Sequence, residues 1–223
     1  MKKALIALSS LMVLALTAGA ALAEYNPKLS FSLSDTKAKG NPEINIKVSQ
    51  EEGEEELGHV TLTIPKGFNL PSDEQVEDGD ILGTADLAID AGPACRPDGA
   101  GAIPVKVPAT FNGQDLYERD RTDEQADAGV HAVWVVDLFP VTEIPLEITG
   151  SVKKGWKLDG DIPANDNTCP PLSFDGTIFS ESEGGVKILT NPKKPGKYVF
   201  GGSLFSAQSS DVVTVKQPIK ITR

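Results

Sequence analysis

The sequence predicts an all-β chain of antiparallel, immunoglobulin-like sandwich architecture. Run after run of side chains alternates between apolar and polar at a period of two, the signature of half-buried strands. Glycine and proline, 21 and 16 of them, break the chain into short pieces, and the apolar spacing seldom follows the threes and fours of a helix.

The strands are read in order. Leu29, Phe31 and Leu33 share one face against Ser30, Ser32 and Ser34. Ile44, Ile46 and Val48 oppose Asn45, Lys47 and Ser49, and Val60, Leu62 and Ile64 oppose Thr61 and Thr63. Further strands are expected over Ile81 to Ile89, Ile103 to Phe111, Val130 to Phe139, Ile144 to Val152, Leu172 to Phe179, Lys197 to Phe205 and Asp211 to Thr222. Ala132 to Val136 is apolar on both faces and predicts a central strand. One helical turn is expected within Asp120 to Ala128. About eleven strands with turns every eight to twelve residues or so suit a sandwich and exclude a parallel α/β sheet with its nucleotide sites.

An internal echo stands out. Val60 to Asp73 matches Ile148 to Asp161, 88 residues on, with five identities in fourteen. Each copy reads as a strand, a Lys-Gly turn, an aromatic residue and a leucine. Two readings stay open: a duplicated domain with a boundary near 112–128, or a chance likeness between two strand-turn units. The region 24–223 is accordingly one large sandwich or two closely packed ones.

Residues 1–23 read as a secretory signal peptide. Lys2 and Lys3 precede an apolar stretch from Ala4 to Leu16, and Ala21 and Ala23 place the cleavage before Glu24. Export predicts a secreted, soluble product that leaves the membrane once the signal is cut, with an uncleaved anchor over Ala4 to Ala23 as the alternative. Losing two lysines leaves 19 basic residues against 32 acidic ones, a net charge of −13. Such a charge repels nucleic acids and anionic lipids, and no run of Lys or Arg offers a local exception. Outside the cytoplasm Cys95 and Cys169, each in a proline-flanked turn, are expected to form one disulfide, with two free thiols or a half-site for metal as the alternatives. Its loop of 74 residues corresponds to about 4 kcal/mol in the chain-entropy model.

The order Ile64-Pro65-Lys66-Gly67-Phe68, Leu82-Gly83-Thr84-Ala85, Gly160-Asp161-Ile162-Pro163, Leu189-Thr190-Asn191-Pro192 and Gly196-Lys197-Tyr198 resembles secreted immunoglobulin-like β-sandwich proteins of actinobacteria over residues 57–222. The resemblance implies a fold and an extracellular location. It implies no activity.

Chemistry-bearing residues are sparse. The two histidines, His59 and His131, are read as structural or exposed. No nucleophile elbow, paired histidines or Cys-His arrangement is present, so no catalytic residue and no cofactor is assigned. Acids cluster at Glu51 to Glu56, Asp73 to Asp80 and Glu118 to Asp127. The first is read as a solvated hairpin tip. Asp159, Asp161 and Asp166, with Asn165 and Asn167, form the calcium candidates, since hard cations take several carboxylate oxygens. Tyr117, Trp134, Trp156 and Tyr198 are candidate sugar platforms, with Trp134 and Trp156 expected in the core. The leading expectation is a non-enzymatic structural or interaction protein acting on a protein or cell-surface polymer. A carbohydrate- or calcium-binding module and an exported hydrolase using paired carboxylates are the alternatives.

Overall fold

The computed structural model describes residues 25–50, 54–55, 57–72, 75–91, 107–138, 142–162, 171–178 and 187–223. The segment 1–23, Cys95, Cys169 and Asp166 lie outside them. The described chain is all-β and sandwich-like apart from one short helix.

Its elements are β1 (Lys28–Leu33), β2 (Ile44–Ser49), β3 (Leu57–Ile64), β4 (Ile81–Ala91), β5 (Val107–Arg119), α1 (Asp123–Asp127), β6 (Val130–Leu138), β7 (Thr142–Ser151), β8 (Gly155–Asp161), β9 (Pro171–Ile178), β10 (Gly196–Ser206) and β11 (Val212–Ile221). They form one antiparallel sheet in the order β1-β2-β9-β4-β5-β6-β7-β8-β3-β10-β11. The doubly apolar run is the middle strand, β6. Ala132, Trp134 and Val136 enter the main core, while Val133 and Val135 pack with Val130 and Tyr117 on the outer face. A register shift between Val130 and Ala132 puts Val130 on the outer side despite its even number.

Three expectations are revised. The 50–56 connection is not a hairpin tip, because β2 pairs with β1 and β9 while β3 pairs with β8 and β10. Residues 155–161, which hold the calcium candidates Asp159 and Asp161 and fall in none of the expected strands, form β8. Trp156, Leu158 and Gly160 are buried, so Lys157, Asp159 and Asp161 point outward. The fifth strand runs past Phe111 to Arg119, through polar residues that sequence patterning left unassigned. The helical turn falls where expected. Thr122 and Gln125 close a capping box at its start.

The echoed segments meet in space. Gly67 and Gly155 both adopt positive φ, 102° and 94°, a conformation that a side chain would strain. The Gly67 N–H donates to Val152 O at 2.7 Å, and Trp156 Nε1 donates to Phe68 O at 2.9 Å. One copy thus satisfies the turn of the other.

The sheet also folds back on itself. Phe31 of β1 lies against Phe200 of β10, ring centroids 5.7 Å apart, and a Cβ on Gly202 would sit 2.5 Å from Leu29 Cδ2. The two edge strands are then joined by a side chain. Gln217 of β11 accepts the Phe31 N–H at 2.9 Å and donates its amide to Phe31 O. Further along, Ala38 N donates to Thr222 O at 3.0 Å and Thr222 N to Thr36 O at 2.7 Å. Buried Asn191 completes the seam, its amide donating to Asp35 O and Lys37 O.

Gly202→Ala is expected to lower stability by about 1–3 kcal/mol, the usual cost of overpacking, because Thr61 O also stands 2.9 Å from the added atom. Urea denaturation checks this, and an unchanged midpoint would contradict the close approach of β1 to β10.

Candidate functional site

Strand direction determines which connections share an end of the sheet. The β1–β2 connection, the segment after β3, the β5–β6 connection with α1, the β7–β8 turn, the segment before β10 and the C-terminus all lie at one end. We call this end the rim. Its charges are largely separated by sign, with Asp35 and Glu43 of the β1–β2 connection lying among the cations.

One arc is basic. Lys37 and Lys39 follow β1, Lys66 follows β3, and Lys153 and Lys154 occupy the β7–β8 turn. Lys193, Lys194 and Lys197 precede or open β10, and Lys220 and Arg223 end the chain. All ten are exposed. Backbone hydrogen bonds hold their segments together: Lys39 N to Pro192 O at 3.2 Å, Asn191 N to Gly40 O at 2.8 Å and Asn69 N to Thr190 O at 3.0 Å. Tyr198 packs edge-on against Phe68 at 5.6 Å and donates its hydroxyl to Lys194 O at 2.8 Å. Among the described residues, none of these ten cations is paired with a carboxylate.

The other arc is acidic and lies over β4, β5 and β6. Gly79 N donates to Glu118 O at 2.8 Å, Glu118 N to Asp80 O at 3.0 Å, and Asp120 N to Asp78 Oδ1 at 3.1 Å. These bonds seat the Glu77 to Asp80 turn beside Asp120 and α1, whose Asp123, Glu124 and Asp127 are exposed. Folding therefore unites two of the three acidic clusters. Of the two arginines there, Arg121 turns in to Val130 O at 2.7 Å and Arg119 to Glu143 at 2.5 Å.

Sequence reading missed the basic arc because its lysines come from five separate segments. One signal was available. Residues 187–223 hold seven Lys or Arg and a single acid, Asp211, a charge asymmetry between parts of a chain that marks an interaction surface.

The chain matches no family model and no curated protein. Among solved structures, a chain described as BspA_C_WT is similar at 9% identity with a TM-score of 0.35, over 86% of this chain and 50% of that one. The chain thus spans about half the length of that neighbour.

Of the candidate site residues singled out from sequence, Tyr198 joins the basic arc and the rest are engaged elsewhere. His59 of β3 faces two carboxylates of β8. Its Nδ1 is 2.7 Å from Asp161 Oδ1, and its Nε2 is 3.2 Å from Asp159 Oδ1. That same Asp159 oxygen accepts from Thr61 Oγ1 at 2.6 Å and faces Lys157 Nζ at 2.9 Å. Asp159 and Asp161, the calcium candidates, are thus engaged by protein donors on the outer sheet face. Among the described residues no group of three or more His, Cys, Asp or Glu is placed to hold a metal ion. His131 instead stacks on Trp156 at 4.5 Å and contacts Pro71 O at 2.9 Å. Trp134 and Trp156 are buried. Tyr117 is half-buried and bridges Arg119 and Glu143.

Burial alone would raise the Asp159 pKa, but the Thr61 hydroxyl and the Lys157 ammonium outweigh it and hold the carboxyl below its ordinary range. Arg119, then Tyr117, do the same for Glu143. Both groups bind protons less readily folded than unfolded. Their contribution is therefore present above the unfolded value of about 4 and lost as pH falls below it. Each is partly exposed and contributes under about 1 kcal/mol. Asp159→Asn should shrink the drop in thermal midpoint between pH 5 and pH 3. An identical drop in wild type and variant would remove Asp159 from this account.

Proposed function

We propose that the chain is an exported, non-enzymatic interaction protein that binds charged macromolecular surfaces through its rim. The single observation that supports this is the basic arc. Ten exposed cations without carboxylate partners among the described residues are held together on a chain whose net charge is −11. Charges left unneutralised at this density repel one another, and an anionic partner relieves that repulsion. The screening length at physiological salt is about 8 Å. A partner touching the rim thus responds to the arc it meets more than to the distant net charge. The signal-like segment 1–23 supports an extracytoplasmic setting, and the all-β antiparallel fold suits an interaction domain. Carbohydrate or calcium binding has a narrower basis, since two of its three calcium candidates already contact His59, Thr61 and Lys157.

Fluorescence anisotropy with labelled poly-L-glutamate as the probe tests the reading. Wild type should bind at low salt despite its net negative charge, and K193E/K194E should weaken binding at least about tenfold. An absence of poly-L-glutamate binding at low salt by wild type that sediments as a monomer would overturn it.

A further inference from the structure

The rim carries both signs of charge, and this determines which anionic partner fits it. The basic arc runs through the ends of β1, β3, β10 and β11 and the β7–β8 turn. The acidic arc occupies the opposite part of the sheet order, over β4, β5 and β6. A two-fold axis lying in the plane of the rim, between the arcs, carries each arc onto the other. Two copies placed rim to rim about that axis set basic against acidic twice over. This is the self-complementary contact that a two-fold interface requires.

We propose that the partner of the rim is a second copy of this chain, docked rim to rim as a two-fold dimer. The proposal rests on the reading of the rim as an interaction surface and names its occupant. Three features support it. The acidic arc is ordered by its own hydrogen bonds, so it offers a shaped surface: Asp120 N to Asp78 Oδ1 at 3.1 Å, and Thr122 with Gln125 closing α1. The neighbouring Arg119 and Arg121 are directed to Glu143 and to Val130 O, which leaves the outward charge of the arc to Glu77, Asp78, Asp123, Glu124 and Asp127. Finally, the seam at Gln217 and Asn191 fixes Lys37 and Lys39 beside Lys193 and Lys194, so the basic arc meets a partner as one unit.

The test is sedimentation velocity of the chain recovered after export, in about 0.1 M and about 1 M NaCl, where the screening length falls from about 10 Å to about 3 Å. Wild type should be dimeric in the first and monomeric in the second. K193E/K194E leaves eight cations in the basic arc and adds two acids to it, weakening both charge contacts, and should be monomeric in both. E77K/D127K leaves three outward acids and two lysines, which brings the acidic arc close to neutral, and should also be monomeric. The second of its substitutions puts a cation at the C-terminal end of α1, where positive charge suits the helix, so the fold is retained, as an unchanged thermal melt would show. Mixed in equal amounts, the two variants should form a one-to-one heterodimer, since the unaltered acidic arc of one then meets the unaltered basic arc of the other.

A wild type that is monomeric in both salts overturns the proposal. If it still binds poly-L-glutamate, the interaction reading stands and only the partner is wrong. Dimers that persist in either variant alone also overturn it, because another surface then holds the copies together. So does a monomeric wild type that is retained on anionic phospholipid vesicles through Lys193 and Lys194, which would place a membrane there instead.

Discussion

A single glutamine side chain joins the two ends of an eleven-stranded sheet. Gln217 stands on β11, yet its amide plays the part of a neighbouring strand for β1. It accepts from one backbone N–H and donates to one C=O of Phe31. A sheet edge presents unpaired peptide groups that invite other chains to add on. Here the two edges are turned toward each other, and one amide satisfies both groups of one residue. Asn191 and the Thr36 to Ala38 contacts with Thr222 continue the seam. Pro218 lies on the outermost strand, where a missing N–H costs no internal ladder bond.

Much of the remaining structure follows from that closure. It forces β1 over β10, which is why Gly202 faces Leu29 and Phe31 meets Phe200. It also bends the rim until the β1–β2 connection touches the segment before β10, so that lysines far apart in sequence share one arc. The acidic arc is fixed separately, by the Glu77 to Asp80 turn hydrogen-bonded to the end of β5. Two separate constraints thus gather most of the rim's cations in one arc and most of its acids in another.

The strands were legible because alternation is a local signal: Leu29-Phe31-Leu33 and Ile44-Ile46-Val48 face inward as their spacing requires. The middle place of β6 was legible for the same reason, its residues being apolar on both faces. β8 was hidden because Asp159, Gly160 and Asp161 are turn-formers by composition, and only pairing with β3 and β7 makes them a strand. The separation of β2 from β3 was hidden too. Nothing in Glu51 to Glu56 distinguishes a hairpin tip from a crossing connection, and the choice is made by β9 inserting beside β2. The basic arc depends on closure, a contact between residues 31 and 217. Local patterning carries no trace of it.

Hydrogen exchange at the Phe31 amide tests this account most directly. The amide points away from β2, toward the side on which an edge strand is ordinarily open to solvent. Closure predicts that it is protected in wild type and exchanges at least about a hundredfold faster in Gln217→Leu, in line with local opening at a cost well below global unfolding. Rapid exchange at Phe31 in the wild-type protein would contradict the closed sheet and, with it, the assembly of the basic arc.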